Sequence, residues 1–335
     1  MGSEPTSVGM DAGTAEARVQ AMYSVVRYPS LDPLDEARYV RHRRCVYGLL
    51  GLDVDTFCRG KSVLDAGCGT GEETLFLAGL GAERVVGIDT SSGSLEVARA
   101  GARRLGAGNV EFRQVSVLDG DAFAAESFDF VSSLGCIHHT PDMPAAFANL
   151  CRWVKPGGHL CTFIYNSFGH FYYNLECGVL DRLAGQDVER RVRLARRLFD
   201  WRGARPFRRE GIVAAPHGRI YDKYGVLYRE SLTLGRVLDW YRQAGFDHAG
   251  SFPMHLKDMV AAARARDGGD GAAGGWRGRV AALLDSCLRP QPRRAWTARR
   301  RASMQLLLLG MGLLDYGNAF RVLGRKQVGG SGEAG

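Results

Sequence analysis

Three glycines at alternate positions, directly after a short apolar run, limit the folds open to this 335-residue chain. Residues 63–73 read VLDAGCGTGEE. Glycine takes positive φ angles without steric cost, and because it has no Cβ it lets a ligand approach the backbone. A helix that begins directly after such a loop presents unpaired N–H groups to that ligand. The segment therefore predicts a strand, a ligand-binding turn and a helix, in that order.

The two residues after the last glycine indicate which kind of ligand the loop accepts. A dinucleotide-binding loop of the G-x-G-x-x-G type has glycine or alanine where this chain has Glu72, and Glu73 follows. Two carboxylates at a helix N-terminus repel a pyrophosphate. We therefore expect a ligand that is uncharged or cationic near the loop. A nicotinamide dehydrogenase, or an α/β domain that keeps the loop for packing, stays open as an alternative.

Further motifs follow at the distances that an α/β domain requires. The apolar run Val85–Asp89 ends in a carboxylate 18 residues past Gly71, and such a carboxylate can accept both hydroxyls of a ribose. Residues 128–133 (FDFVSS) predict a fourth strand, and residues 154–158 (VKPGG) predict the turn before a fifth. With these motifs, residues 60–165 resemble the class I S-adenosylmethionine-dependent methyltransferases.

The resemblance implies S-adenosyl-L-methionine as the cofactor, whose sulfonium and ammonium groups meet the electrostatic expectation. It implies that the three glycines approach the methionine moiety, that Asp65 orients the loop or the ammonium group, and that Asp89 holds the ribose. The family often has an acidic residue beside the adenine after strand three, whereas this chain has Ser116 and Val117 there. Alternatively, Asp119 takes the role of that acidic residue. The implied cofactor-binding residues are Asp65, Gly67, Cys68, Gly69, Gly71, Asp89, Thr90, Ser116, Val117 and Leu134.

Two histidines follow the fourth predicted strand. Residues 135–142 read GCIHHTPD, which places His138 and His139 near the edge where a methyl group would be transferred. Imidazole has a pKa suited to deprotonating a hydroxyl or an ammonium group. In the resembling family such a stretch often orders the turn before the next helix, so the catalytic and the structural interpretation both stay open. With Tyr221 they are the candidate catalytic residues, and no metal site is expected because the eight cysteines form no C-x-x-C pair.

Alternating strand and helix patterns predict an α/β fold with a doubly wound, mainly parallel sheet, the Rossmann-like methyltransferase fold. A helical N-terminal segment precedes this sheet. Residues 166–230 are too long for an ordinary connection after strand five (His159–Tyr165) and are expected to form a lid. The predicted segments are a flexible lead and cap helices (1–58), the cofactor-binding core (59–165), the lid with the acceptor pocket (166–230), the end of the core sheet (231–262) and a basic C-terminal extension (263–335).

Positive charge is concentrated in the extension. From Arg264 onward the chain has 13 basic and 5 acidic residues, which accounts for the whole net charge of +8. A basic tail suits RNA, an acidic partner or an anionic membrane surface, or reflects an arginine-rich composition. The leucine-rich run Met304–Leu314 is shorter than the ~20 residues of a bilayer span, so it either docks onto the domain or lies on a membrane surface. The arginine run 190–197 of the lid is expected to be a solvated helix face.

The expected function is methyl transfer to an oxygen or nitrogen of a small molecule or peptide, in specialised metabolism. The chain has neither the Asn-Pro-Pro-Tyr signature of enzymes that methylate exocyclic amines of bases nor the paired cysteines of cytosine-C5 enzymes. An RNA methyltransferase that uses the arginine-rich lid and tail remains an alternative, as does a cofactor-binding protein without catalytic activity. The chain shows no secretory start, so a cytoplasmic location is expected. The oligomeric state stays open.

Overall fold

The computed structural model describes residues 33–203, 221–253 and 319–328, together with Ala17. Within these residues a seven-stranded sheet has the order β3-β2-β1-β4-β5-β7-β6. Strands β1 to β5 run parallel, and β7 is antiparallel to both of its neighbours. The predicted doubly wound, mainly parallel sheet is thereby confirmed. The strands are β1 (Ser62–Ala66), β2 (Arg84–Asp89), β3 (Val110–Gln114), β4 (Phe128–Leu134), β5 (Val154–Tyr165), β6 (Phe246–Pro253) and β7 (Ala319–Lys326).

Helices cover the sheet and connect its strands. Several begin at a side-chain cap: Ser91, Asp142 and Thr233 each accept a hydrogen bond from a backbone N–H three residues later, which satisfies a donor that the helix itself leaves free. The described helices are α1 (Pro33–Leu49), α2 (Glu72–Gly79), α3 (Ser92–Leu105), α4 (Met143–Trp153), α5 (Phe171–Ala184), α6 (Val188–Gly203) and α7 (Leu234–Gln243), with a 3₁₀ turn at Ile137–His139 and a π-helical turn at Tyr221–Gly225.

Strand β7 lies in a part of the chain that the sequence analysis assigned to the basic extension. It fits between β5 and β6, and Phe320, Val322 and Leu323 are buried there. Gly324 permits this packing, because a Cβ at that position would lie 2.3 Å from the ring of Tyr241 on α7. The leucine-rich run 304–314 and the lead before Pro33 lie outside the described residues. None of the helices in the described part of the chain is long and apolar enough to cross a bilayer.

The predicted lid segment (166–230) begins with two helices, α5 and α6, which pack around a small cluster of Cys177, Leu180, Ala195 and Tyr224. This cluster is separate from the main core. Arg191 on α6 is 1% exposed, and its side chain connects α6 to α5 and to the π-helical turn. Its Nη1 donates to the Asp181 carboxylate and to the Gly185 carbonyl, and its Nε donates to the Tyr224 carbonyl at 3.0 Å.

The expected solvated arginine face on α6 is therefore wrong for Arg191, whose donors serve the interior of the lid. It is right for Arg190, Arg193, Arg196 and Arg197, which are exposed. The difference follows from the helix period, because the four exposed arginines point away from the side that packs on α5.

Candidate functional site

The three loop glycines differ in what surrounds them. All have positive φ, +79° at Gly67, +53° at Gly69 and +87° at Gly71. A Cβ at Gly67 would lie 2.3 Å from the Cβ of Cys136, and one at Gly71 would lie 2.8 Å from the Cβ of Ala98. At Gly69 nothing lies within 4 Å of such a Cβ. Gly67 and Gly71 therefore permit close packing of the protein on itself, and Gly69 keeps one side of the loop open.

Asp89 ends β2 and holds the glycine loop by its side chain. Its Oδ2 accepts a hydrogen bond from the N–H of Gly69 at 2.9 Å, and its Oδ1 accepts one from the N–H of Ser91 at 2.8 Å. Burial raises the pKa of this carboxyl group, and the backbone donors act against that rise. A carboxylate has about four acceptor positions, and the backbone N–H groups of Gly69, Ser91 and Thr90 use part of them, so room remains for a further donor such as a ribose hydroxyl.

Asp65 on β1 is buried beneath the loop. Its Oδ2 accepts a hydrogen bond from the Thr74 hydroxyl of α2 at 2.6 Å. Burial, followed by the negative charge of Glu73, raises the pKa of Asp65 to about 7. Asp65 thus links β1 to the first turns of α2, and it carries a proton for part of the time near neutral pH.

Glu73 is the centre of a buried network that connects α1 to α2. Its Oε2 lies 2.8 Å from the Nε of Arg43 and accepts a hydrogen bond from the Tyr39 hydroxyl at 3.0 Å, and its Oε1 accepts one from Tyr47. The charge of Glu73 is therefore compensated inside the protein. Only the charge of Glu72 is therefore left to repel a pyrophosphate. The Glu72 carboxylate accepts a hydrogen bond from the Thr70 hydroxyl.

This network was missed in the sequence, although its spacing was visible. Tyr39, Arg43 and Tyr47 recur at i, i+4 and i+8, so they lie on one face of α1. Their common partner is Glu73, 26 residues or more along the chain. Helix α1 therefore docks beside the glycine loop through a defined polar contact.

The residues that the resemblance implies beside the adenine follow β3. The Ser116 hydroxyl oxygen accepts from the N–H of Leu118 at 3.0 Å, Val117 is buried, and Asp119 is exposed. Thr90 follows Asp89, and Leu134 ends β4 in a half-buried position. The carboxyl ends of β2, β1 and β4 are adjacent in the sheet, so all these residues lie along one edge.

His138 and His139 form the 3₁₀ turn that follows β4, and both are buried. The Nδ1 of His139 lies 3.1 Å from the carbonyl oxygen of Tyr228. A carbonyl only accepts, so Nδ1 carries the proton and Nε2 has a free lone pair. Burial lowers the pKa of His139 to about 4 and that of His138 well below its ordinary value. Both imidazoles are therefore neutral at physiological pH.

Aromatic rings from β5 and the lid pack against these histidines. The Tyr165 ring lies 3.9 Å from the His138 ring and stacks on His170 at 4.3 Å, as measured between centroids. Burial lowers the pKa of His170 to about 4. Phe163 lies 6.0 Å from His138. His170 lies in the segment 166–230 that the sequence predicts as a lid, and its place beside the histidine turn depends on how that segment folds back.

Residues at and just after the end of the predicted lid segment (166–230) bond through their backbone to the histidine turn and to the end of β5. The N–H of Glu230 donates to the carbonyl of His138, and the N–H of Leu232 donates to the carbonyl of Tyr165, each at 2.9 Å. A cleft of about 610 Å³ lies between the lid and the turn after β4, with Thr140 and Tyr228 among its walls. Tyr221 begins the π-helical turn of this region, and its side chain is outside the described part. Within that part, no group of three metal-ligating side chains is placed to hold an ion.

The fold and this edge define a class of protein. A glycine loop after β1, a carboxylate at the end of β2 and the order β3-β2-β1-β4-β5-β7-β6 are the features of a Rossmann-like methyltransferase domain. A family model described as a methyltransferase domain matches residues 63–158. Residues 63–158 therefore form a class I S-adenosylmethionine-dependent methyltransferase domain, and S-adenosylmethionine is the cofactor of this domain.

Curated relatives and a solved structure are similar to this chain over part of its length. A ubiquinone biosynthesis O-methyltransferase of Acinetobacter baylyi is 40% identical over 102 residues, which are 30% of this chain and 42% of that protein. An uncharacterized protein of Synechococcus is 37% identical over 122 residues, 34% of this chain and 29% of its own length. The chain thus spans less than half of these relatives. The structure of PKMT2 from Rickettsia typhi in complex with AdoHcy matches with a TM-score of 0.50 and 15% identity, over 86% of this chain and 52% of that one, which shows a shared fold.

Proposed function

We propose that this protein transfers the methyl group of S-adenosylmethionine to an oxygen or nitrogen of a small molecule or peptide, in specialised metabolism. The proposal rests on one observation, which concerns the edge of the sheet where the parallel strands have their carboxyl ends. This carboxyl edge has two halves with different side chains. Gly69 and Asp89, on the β1–β2 side, leave an open loop face and free acceptor positions. His139 and Tyr165, on the β4–β5 side, bring neutral imidazole and aromatic rings to the same edge.

The residues on the cofactor side suit the groups of S-adenosylmethionine. The open face of Gly69 admits a ligand beside the backbone, and the two oxygens of Asp89 suit a ribose diol. Asp65 and the first turn of α2 lie near the place of the ammonium group, and Thr90, Ser116, Val117 and Leu134 border the adenine side. When bound, the cofactor supplies an electrophilic methyl group on a sulfonium sulfur.

On the acceptor side, His139 is the proposed general base. Its Nε2 takes the proton that the acceptor hydroxyl or neutral amine loses as the lone pair of the acceptor atom bonds to the methyl carbon, and the electrons of the broken C–S bond stay on sulfur. The Tyr228 carbonyl holds the Nδ1–H tautomer that leaves Nε2 free. His138 packs against His139 at 4.3 Å between ring centroids and positions it. Tyr221 stays a candidate for contact with the acceptor.

We expect Gly69→Ala to weaken cofactor binding far more than it lowers stability. The alanine costs about 1–2 kcal/mol at a φ of +53°, and its methyl group takes the open space beside the loop. Gly106→Ala is the matched control, since Gly106 ends α3 with a φ of +64° and equally open surroundings. Calorimetric titration with S-adenosylhomocysteine and thermal melting measure both effects. Equal affinities of the two variants would contradict the proposed role of Gly69.

The buried histidines should make stability fall in acid. His139 and His170 have pKa values of about 4 in the folded protein against about 6.5 when unfolded. Between these values the unfolded chain binds more protons, so this stabilisation is complete above pH 6.5 and is lost as the pH falls toward 4. Asp65 acts in the opposite sense, because its raised pKa favours the folded state below pH 7.

His170→Gln isolates one part of this dependence. We expect urea unfolding of the variant to show a smaller loss of stability between pH 6.5 and 4.5 than the wild type, with the contribution of Asp65 common to both. The same slope in both proteins would show that His170 is not held neutral by burial.

The acceptor is proposed as a small molecule or peptide, and the O-methyltransferase among the relatives favours oxygen as the methylated atom. RNA is the second candidate, favoured by the exposed Arg190, Arg193, Arg196 and Arg197 on α6. The described cysteines are all free thiols, which agrees with the proposed location in the reducing cytoplasm.

The proposed function is tested by incubating the protein with isotope-labelled S-adenosylmethionine and a host metabolite extract, followed by mass spectrometry. We expect a small molecule or peptide that gains one labelled methyl group, and no such product with the Asp89→Ala variant. Label in an added RNA fraction instead would favour the second candidate. Cofactor binding without any labelled product would favour the non-catalytic alternative.

A further inference from the structure

Arg321 is a buried cation in the middle of the sheet. It lies on β7 opposite Phe163 of β5, and the residue is 2% exposed. Its guanidinium carbon lies 6.0 Å from the centre of the Phe163 ring. No group of the described chain accepts a hydrogen bond from its Nε or Nη1. The ring contact is at the outer limit of a cation–π interaction and leaves these donors without an acceptor.

An unpaired buried guanidinium is strongly unfavourable, and the nearby charges do not relieve it. Glu73 is the carboxylate whose charge acts on Arg321, and it is already taken by Arg43, Tyr39 and Tyr47. Arg43 repels Arg321 and, after burial itself, contributes most to lowering its pKa. Among the described residues, the surroundings therefore hold two guanidinium groups for one carboxylate that is already engaged, so Arg321 has no negative partner there.

The position of Arg321 indicates where that negative charge comes from. In the order β1-β4-β5-β7, β7 is three strand spacings from the strand before the glycine loop, about 14 Å at ~4.8 Å per spacing. The backbone of Arg321 thus lies on the acceptor side of the sheet, while its guanidinium group is close enough to Arg43 and Glu73 for their charges to act on it. Phe163 contacts both Arg321 and His138, each at 6.0 Å, so the cation and the histidine turn border the same aromatic wall.

We propose that Arg321 binds a carboxylate group of the methyl acceptor, next to an aromatic or similarly flat body that packs on Phe163 and Tyr165. This inference rests on the proposed function and names its substrate class. A guanidinium matches a carboxylate by two parallel hydrogen bonds, and the low dielectric of a buried position strengthens the pair. Tyr165 and His170 are half-buried, so this end of the aromatic wall is not closed off from solvent.

Benzoate and its neutral analogue benzamide test the proposal without any methyl transfer. Each is titrated calorimetrically into the full-length protein saturated with S-adenosylhomocysteine. We expect the wild type to bind benzoate at least tenfold more tightly than benzamide. Arg321→Gln should weaken benzoate binding by about tenfold to a hundredfold, the effect of losing hydrogen bonds to a charged group, and leave benzamide binding unchanged. Arg325→Gln, an exposed position on the same strand, should change neither.

Several results would overturn the proposal. Equal binding of benzoate and benzamide to the wild type is one, and an equal loss of both ligands in Arg321→Gln is another. If Arg321→Gln weakens S-adenosylhomocysteine as much as benzoate, the cofactor's own carboxylate is the partner. If Arg321→Gln fails to fold, Arg321→Lys replaces it in the test, because lysine keeps the charge but cannot form two parallel hydrogen bonds. Undiminished benzoate binding by Arg321→Lys would equally refute the proposal. None of these titrations requires turnover, so a protein that binds benzoate but methylates nothing would disprove the proposed function alone.

Discussion

Alanine in place of His139 is expected to reduce the rate of methyl transfer by about 10²–10⁴-fold, the usual contribution of a general base. The variant lacks the lone pair of Nε2 that would take the acceptor's proton. Its affinity for S-adenosylhomocysteine should stay near that of the wild type, because Gly69 and Asp89 are unchanged. Single-turnover transfer to the acceptor identified from the extract, together with calorimetric titration, measures the two quantities.

Two further variants separate a chemical role of His139 from a structural one. His159→Ala is the matched control, since burial also lowers the pKa of His159 to about 4, yet it lies in the amino-terminal half of β5, away from the ligand edge. His139→Gln keeps a donor for the Tyr228 carbonyl but has no basic nitrogen. Full activity of His139→Gln would show that His139 only orders the turn. The same conclusion would follow if His139→Ala failed to fold and His139→Gln both folded and was active.

Asp89→Ala is expected to weaken cofactor binding by about 10²–10⁴-fold. Two hydrogen bonds from ribose hydroxyls to a carboxylate contribute about 1.5–3 kcal/mol each, and each 1.4 kcal/mol is tenfold in affinity. The substitution also frees the N–H groups of Gly69 and Ser91 from their common acceptor, which loosens the loop. Titration with S-adenosylhomocysteine measures the loss directly.

Asp129→Ala controls for the general cost of removing a carboxylate from the sheet. Asp129 accepts a hydrogen bond from the N–H of Ser62 at 3.0 Å and pairs with Lys155 at 2.9 Å, near the amino ends of the strands. Both variants should melt at a lower temperature than the wild type, and Asp89→Ala alone should lose cofactor affinity. Unchanged affinity in Asp89→Ala would show that the ribose is held elsewhere.

The cofactor half of the edge was predictable because its residues form short, contiguous motifs. A strand, three glycines and a helix start lie within residues 63–73, and Asp89 ends the next apolar run. Neighbouring residues along the chain determine such elements, so their position follows from local pattern alone. The different surroundings of Gly67, Gly69 and Gly71 were not predictable, since Cys136 and Ala98 approach them from other elements.

The position of strand β7 and the burial of its arginine were not predictable from local sequence. Residues 319–326 carry no turn signal that joins them to β6, from which more than 60 residues separate them. They fall within the segment 263–335, which was predicted as a basic extension that follows the core sheet. Arg321 is buried only because β5 and β6 flank its strand. Likewise, Tyr39 and Arg43 meet Glu73, and His170 meets Tyr165 and His138, only after the helices pack.

Local sequence thus determined the parallel strands, the glycine loop and the carboxylate that ends β2, because backbone conformation and hydrophobic periodicity act over a few residues. The tertiary structure alone decided which charged groups are buried, which imidazoles stay neutral and which cation lacks a partner. Those properties depend on desolvation and on Coulomb interactions between groups that are distant in sequence and meet only when the sheet and its helices assemble.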